Sequence, residues 1–154
     1  MSNNTPVPSQ LCLLSALPSR TVRDKVRFLG CVTSYSPTTG VLTLEHRQRT
    51  QPRHTPFVRA LVDVNLVLEG LKAEQTSTGG WVNVIGYITS ISPLTDGKGP
   101  SHGVLGVEVQ ALVLWSAGPL EVTRYEASAT ALDTKRSSEN AGGSLSDNLL
   151  QPRR

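Results

Sequence analysis

Arginine side chains are concentrated in one part of this chain, where they could bind phosphate. Four of them fall between residues 46 and 60: Arg47, Arg49, Arg53 and Arg59. Guanidinium groups present several N–H donors to phosphate oxygens, and residues 46–56 contain no acid. Single-strand-binding proteins combine such cations with aromatic faces on which bases stack. We therefore predict a nucleic-acid surface that also includes Arg27 and Tyr35, both of which we expect on the outside of a strand.

The charge distribution supports this hypothesis without proving it. Residues 1–60 contain eight Lys or Arg and two acids, a net charge of +6, whereas residues 61–154 contain seven basic and ten acidic residues, a net charge of −3. A concentrated positive charge favours a polyanionic partner. Basic loops also keep many proteins in solution, and the composition alone leaves both interpretations open.

The side chains that could support catalysis or metal binding are scattered. His46, His54 and His102 fall in predicted loops, with no acid or cysteine at ligand spacing. Asp63 and Glu69 could approach each other, but carboxylates at the start of a helix more often cap it. The sequence has no nucleophile elbow, phosphate-binding loop or dinucleotide fingerprint. We predict a protein that is not an enzyme and uses no metal or cofactor.

Cysteine content and hydropathy bear on the compartment. The chain has two cysteines, Cys12 and Cys31, and a single pair is not a disulfide framework, which favours a reducing cytosolic or nuclear environment. No stretch is apolar for long enough to span a bilayer, and the N-terminus lacks the pattern of a secretory signal.

Two long strand patterns, residues 25–35 and 81–91, must position these groups. Each is rich in β-branched and aromatic residues and has one interior glycine, Gly30 or Gly86. Interior glycine marks a bulge or a sharp bend, and bent strands are typical of small closed barrels. The alternation places three residues of each strand inward: Val26, Phe28 and Val32, and Val82, Val84 and Ile88.

The remaining elements complete a recognisable order. Further strands are predicted at 41–45, 57–63 and 104–115. Val64, Leu68 and Leu71 recur at helical spacing between the third and fourth strands. Pro119 suits the start of a second helix over residues 120–132. The pattern predicts a mainly β chain with a single OB fold, which is a five-stranded Greek-key barrel with a helix between strands 3 and 4 and a C-terminal helix.

The domain organisation follows from composition. We expect a flexible N-terminal arm over residues 1–10, a short strand or plug over 11–17, and the OB domain with its C-terminal helix over 11–132. Residues 133–154 are rich in serine, glycine and asparagine, and we predict that they are disordered.

The C-terminal helix offers a surface for another protein. Val122, Tyr125, Ala129 and Leu132 form one stripe at spacings of three and four, which could close the end of the barrel. Small residues on a further face, Ala127 and Ala131, would let another helix approach closely. The predicted partner-binding residues are Leu120, Val122, Arg124, Tyr125, Ala129 and Leu132.

Four segments carry a family resemblance: 26–35, 60–66, 81–87 and 109–118. They resemble the fungal Ten-one (Ten1) subunit, the smallest subunit of the telomere-capping CST complex, over about residues 11–132. The resemblance implies a nuclear protein of the chromosome end that pairs with the Stn-one (Stn1) subunit beside a third, large CST subunit. It implies binding of the pair to single-stranded telomeric DNA and assistance of fill-in by DNA polymerase α–primase.

Other functions share this layout. The smallest replication protein A subunit has the same arrangement, so an autonomous single-strand-binding protein is the main alternative. An OB-type hydrolase or sugar-binding module is a third possibility, but the sequence shows no pocket chemistry for it.

Overall fold

The computed structural model describes residues 5–48, 51–52, 54–95, 103–118 and 122–145. The strands are β1 (Gln10–Leu11), β2 (Lys25–Ser36), β3 (Val41–Glu45), β4 (Phe57–Asp63), β5 (Trp81–Pro93) and β6 (Val104–Ser116). The α-helices are α1 (Ala73–Thr76) and α2 (Val122–Leu145), and 3-10 segments run over Leu14–Ser19 and Asn65–Gly70. The chain divides into a first unit, which holds the strands and α1, and a second unit, which holds α2.

The long strands close into a barrel. β2 pairs with β3 through its C-terminal half and with β5 through its N-terminal half. β3 continues antiparallel to β4, β4 runs parallel to β6, and β6 returns antiparallel to β5. This circuit of five strands confirms the predicted Greek-key OB fold. β1 lies outside the circuit, where it pairs in parallel with the start of β2.

The core fills the inside of the barrel by strand alternation. Val26, Phe28 and Val32 on β2 are at most 1% exposed, as are Val82, Val84 and Ile88 on β5, so the predicted inward faces are confirmed. The segment predicted as a strand or plug contains both, because β1 is followed by the 3-10 turn Leu14–Ser19. Leu14 and Leu17 of that turn are fully buried in the same core.

The two interior glycines serve different purposes. Gly86 lies at a register shift between β5 and β6, and a Cβ atom there would collide with the backbone carbonyl of Gln110. A Cβ atom on Gly30 would lie 2.8 Å from the Cβ of Leu44 and 3.0 Å from Cδ1 of Leu14. Gly86 therefore marks a bulge, whereas Gly30 allows close packing inside the barrel.

The predicted helix between β4 and β5 is two short pieces. The 3-10 segment ends at Gly70, and Leu71 adopts extended backbone angles before α1 begins at Ala73. Glycine carries the largest entropic cost in a helix interior, which accounts for the interruption. Of the three residues whose spacing indicated one helix, Val64 is fully buried and Leu71 packs half-buried against the core, whereas Leu68 is 45% exposed.

The second unit extends further than the sequence pattern indicates. Helix α2 continues to Leu145, so residues 133–145, predicted to be disordered, are helical, and residues 146–154 lie outside the described residues. The prediction relied on the serine-, glycine- and asparagine-rich composition of residues 133–154, whereas in the structure hydroxyl groups of this polar stretch bond within the helix. The hydroxyls of Thr130, Thr134 and Ser137 each donate to the carbonyl four residues earlier. Neither α2 nor any other described helix is long and apolar enough to cross a membrane.

Candidate nucleic-acid and partner surfaces

Arg47 is held in place by an aromatic ring. It follows the end of β3, and its guanidinium carbon lies 5.0 Å from the ring centroid of Phe57, the first residue of β4. A guanidinium over a ring gains a cation–π attraction while its edge stays in water. Arg47 is exposed, so its N–H donors are positioned toward solvent.

Arg59 lies two residues further along β4, and a carboxylate already holds it. Its Nε donates to Oε1 of Glu45 at 2.9 Å, and the two residues face each other across β3 and β4. The side chains are 32% and 17% exposed respectively. Arg47 and Arg59 therefore lie at the same end of β4, and Arg59 is the one of the two whose charge is compensated by a carboxylate of the described residues.

Arg27 lies on a different wall of the barrel. It is exposed on β2, opposite Ile85 of β5, and its guanidinium carbon lies 5.2 Å from the ring centroid of Trp115 on β6. The structure therefore does not bring Arg27 together with the cations of β4. The other two predicted arginines, Arg49 and Arg53, lie outside the described residues.

Tyr35 is not on the outer face, which corrects the sequence prediction. A bulge between Val32 and Ser34 inserts an extra residue into β2 where it pairs with β3. Beyond a bulge the side chains change faces. Tyr35 consequently pairs with the fully buried Leu42 and packs against the core, so its ring is not a free platform for a base.

A polar groove crosses the outside of β2, β3 and β4. It has a volume of about 390 Å³ and is lined by Thr33, Ser34, Thr43, Glu45, Arg59, Leu61, Leu94 and Thr95. We call this the barrel groove. Leu61 also lines a neighbouring hollow of about 230 Å³ with Val41, Asp63, Thr89, Glu108 and Val109. The two hollows thus adjoin, and the second carries two carboxylates.

Two polar groups that the sequence analysis considered for catalysis or metal binding, His46 and Asp63, have structural roles. His46 is 4% exposed, and its ring meets Trp81 edge to face at a centroid distance of 5.3 Å. Asp63 Oδ1 accepts from the backbone N–H of Asn65 at 2.9 Å and from its side-chain amide at 2.7 Å. These bonds form a local turn ahead of the 3-10 segment, whose N-cap residue is Val64. Among the described residues, no three His, Cys, Asp or Glu side chains are grouped to hold a metal ion.

The predicted partner-binding residues on α2 differ in their exposure to solvent. Val122 and Tyr125 are half-buried and Ala129 is 1% exposed, whereas Arg124 is exposed and Leu132 is 43% exposed. Ala127 and Ala131 are exposed as well. We call the side that carries Arg124, Ala127 and Ala131 the open face of α2, and the exposed Leu132 lies on the adjoining stripe. Leu120 lies outside the described residues.

The chain is similar to a known protein family and to several solved structures. Residues 1–130 match the family model described as "Ten1: Telomere capping, CST complex subunit". Two similar structures are Ten1 from Saccharomyces pombe (21% identity, TM-score 0.55, 82% of this chain, 99% of that one) and a chain of the S. pombe Stn1–Ten1 complex (21%, 0.56, 84% and 96%).

A third similar structure is U. maydis replication protein A bound to single-stranded DNA (16% identity, TM-score 0.50, 82% of this chain, 91% of that one). At these identities the structural likenesses show the fold. No curated protein sequence matches the chain.

Proposed function

Because the chain belongs to the Ten1 family of telomere-capping CST complex subunits, we propose that it pairs with an Stn1 subunit through the open face of α2. The structurally similar Ten1 of S. pombe was crystallised in a complex with Stn1. The observation that supports this route of pairing is the exposed strip of small residues on α2, flanked by the exposed Leu132. Small side chains let two helices approach until their backbones nearly touch, and the leucine would lose its contact with water.

The family function is telomere capping through an OB fold, and we propose that this subunit performs it without catalysis. In this proposal the subunit acts only by binding its partner and telomeric DNA, in the nucleus at chromosome ends. The third, large CST subunit and DNA polymerase α–primase are proposed as further members of the assembly. The proposed function requires no cofactor.

A substitution on the open face tests the pairing. Ala131→Arg places a long charged side chain where a partner helix would approach, and crowding a packed contact costs about 1–3 kcal/mol. We expect affinity for Stn1 to fall about fivefold or more, measured by calorimetry with the full chain. Circular dichroism should show unchanged helix content, since Ala131 is exposed.

Thr130→Arg is the matched control. It adds the same side chain one residue earlier, about 100° around the helix, at a position that is also exposed. We expect its affinity for Stn1 to stay close to that of the wild type. If Ala131→Arg binds as well as Thr130→Arg, the partner does not dock on the open face.

We further propose that the pair binds single-stranded telomeric DNA, with this subunit supplying auxiliary cations. Arg27 and Arg47 support this because each guanidinium is held over a ring and exposed. Arg49 and Arg53 remain proposed contacts. The ion pair with Glu45 argues against a phosphate contact at Arg59, and the packing of Tyr35 against the core argues against base stacking on its ring.

Autonomous single-strand binding is the second candidate function. The two arginine–aromatic pairs favour it, because they do not depend on a partner. The discriminating measurement is fluorescence anisotropy of a labelled single-stranded oligonucleotide with the chain alone and with the Stn1 complex. Saturable binding by the lone chain at physiological salt would support the autonomous role. Binding by the Stn1 complex but not by the lone chain would support the auxiliary role.

A further inference from the structure

The charges that line the barrel groove oppose the ligand that an OB barrel most often takes. Counting the adjoining hollow, the described lining residues include three carboxylates and one guanidinium: Glu45, Asp63, Glu108 and Arg59. The rest of the lining is hydroxyl or apolar. Single-strand-binding grooves instead track the phosphate backbone with positive charge. A phosphodiester entering the barrel groove would therefore meet a guanidinium already paired with a carboxylate, and beyond it the two carboxylates of the adjoining hollow.

Glu45 has the decisive position among these carboxylates. It is a direct cross-strand partner of Arg59, and the 2.9 Å bond to Nε holds the guanidinium over the groove floor. Both side chains are more than half-buried, so water and salt screen the pair less than a fully exposed one. A phosphate that reached Arg59 would have to share it with Glu45 and lie close to a like charge.

We propose that Glu45 is a specificity-determining residue, which keeps phosphodiesters out of the barrel groove by neutralising Arg59. Single-stranded DNA is thereby left to the exposed cations outside the groove, such as Arg47. This inference rests on the proposed function in one respect, namely that single-stranded DNA is the ligand presented to this subunit. It does not depend on the proposed docking of Stn1.

Charge removal at Glu45 tests the inference. Glu45→Gln keeps the size of the side chain and an acceptor oxygen for Arg59, but it frees the positive charge of the guanidinium. In anisotropy titrations of the full chain with a labelled single-stranded oligonucleotide, we expect about threefold to fivefold tighter binding at low salt. The log–log salt dependence should steepen by about 0.7, the value for one additional phosphate contact on a single strand.

Two further variants make the result specific. Glu69→Gln changes the net charge equally, but Glu69 is exposed on the 3-10 segment outside the groove, and we expect the wild-type salt slope. In Glu45→Gln with Arg59→Gln, the gain should disappear. A gain shared by Glu69→Gln, a gain that survives in the double variant, or no gain at all would each overturn the proposal.

Folding and partner binding are read separately. Thermal melting should show that Glu45→Gln remains folded, and Glu45→Thr, with a side chain suited to a strand, replaces it if it does not. Capture of Stn1 by the wild type reports on the proposed pairing, and we expect Glu45→Gln to leave that capture unchanged. Failure of the wild type to bind Stn1 would therefore contradict the proposed pairing. The DNA titrations would still decide the role of Glu45.

Discussion

Glu45 influences a second neighbour besides Arg59. Cys31 on β2 is the direct cross-strand partner of Glu45 on β3, and its thiol is only partly exposed. Burial raises the pKa of Cys31 above its ordinary value, and the negative charge of Glu45 raises this pKa further. Both effects disfavour the thiolate, which is the reactive form. Cys31 therefore reports on the charge of Glu45 from inside the folded protein.

The pH dependence of alkylation checks this coupling. We expect iodoacetamide to modify Cys31 more slowly than a free cysteine near pH 8, with the rate rising as the pH increases. Removing the charge in Glu45→Gln lowers the pKa of Cys31, so the rate profile should move to lower pH, but only partway, because burial is the larger cause. Glu69→Gln should leave the profile in place.

Peptide mass spectrometry can follow Cys31 alone, because Cys12 is fully buried and should react only on unfolding. A profile that is identical in the wild type and in Glu45→Gln would contradict the electrostatic coupling between Glu45 and Cys31.

At the scale of elements, the curvature of the barrel depends on the bulge between β5 and β6. Gly86 lies at the first register shift between these strands and faces Ala111, which is fully buried. The nearest obstacle to a side chain there is the backbone of Gln110. A backbone carbonyl cannot rotate away as the end of a side chain can, so even one methyl group forces the two strands apart.

We expect Gly86→Ala to reduce the free energy of unfolding by about 2–3 kcal/mol, measured by urea denaturation of the full chain. Gly70→Ala is the control, because a Cβ atom on Gly70 has no neighbour within 4 Å. Its change should lie within about 0.5 kcal/mol or be slightly stabilising. Equal midpoints and slopes for the two variants would show that the bulge tolerates a side chain.

Strand alternation made most of this architecture predictable from the sequence. β3 and β4 have the predicted bounds, and the inward residues of β2 and β5 follow from a period of two. Tyr35 was misplaced because a bulge has no such period, and one inserted residue reverses every face after it. The polar part of α2 was missed because its serine-, glycine- and asparagine-rich composition was taken as a sign of disorder.

The candidate surfaces were predictable by residue type but not by arrangement. The chain shows that Arg27, Arg47 and Arg59 are basic, but only the fold shows that Glu45 compensates Arg59 and that Arg27 lies on another wall. Cross-strand register decides such pairings, and it depends on bulges and turns that a single sequence specifies weakly. The groove carboxylates were missed for the same reason, since they are brought together from β3, β4 and β6.

At the scale of the whole molecule, the net positive charge is small and is concentrated in one part of the chain. The net charge is +3, and the excess of positive charge belongs to the first 60 residues. Among the described residues of that region, Arg27 and Arg47 are the exposed arginines stacked on rings, and they occupy different walls. A strand of DNA that contacted both would have to run around the barrel instead of through its groove. Such a path suits an auxiliary subunit, which lengthens the binding site of its partner.

The salt dependence of DNA binding tests this path in the Stn1 complex. Arg27→Gln with Arg47→Gln removes two proposed phosphate contacts, so the log–log salt slope should become shallower by about 1.4, at about 0.7 for each contact. The control, Arg23→Gln with Lys72→Gln, removes two exposed charges that have no ring beneath them in the described structure, and its slope should match the wild type.

An equal decrease in both double variants would mean that the subunit acts through its overall charge. An unchanged slope in Arg27→Gln with Arg47→Gln would mean that the DNA lies elsewhere. Because the slope counts released ions and not affinity alone, it separates a lost contact from a general weakening of the complex.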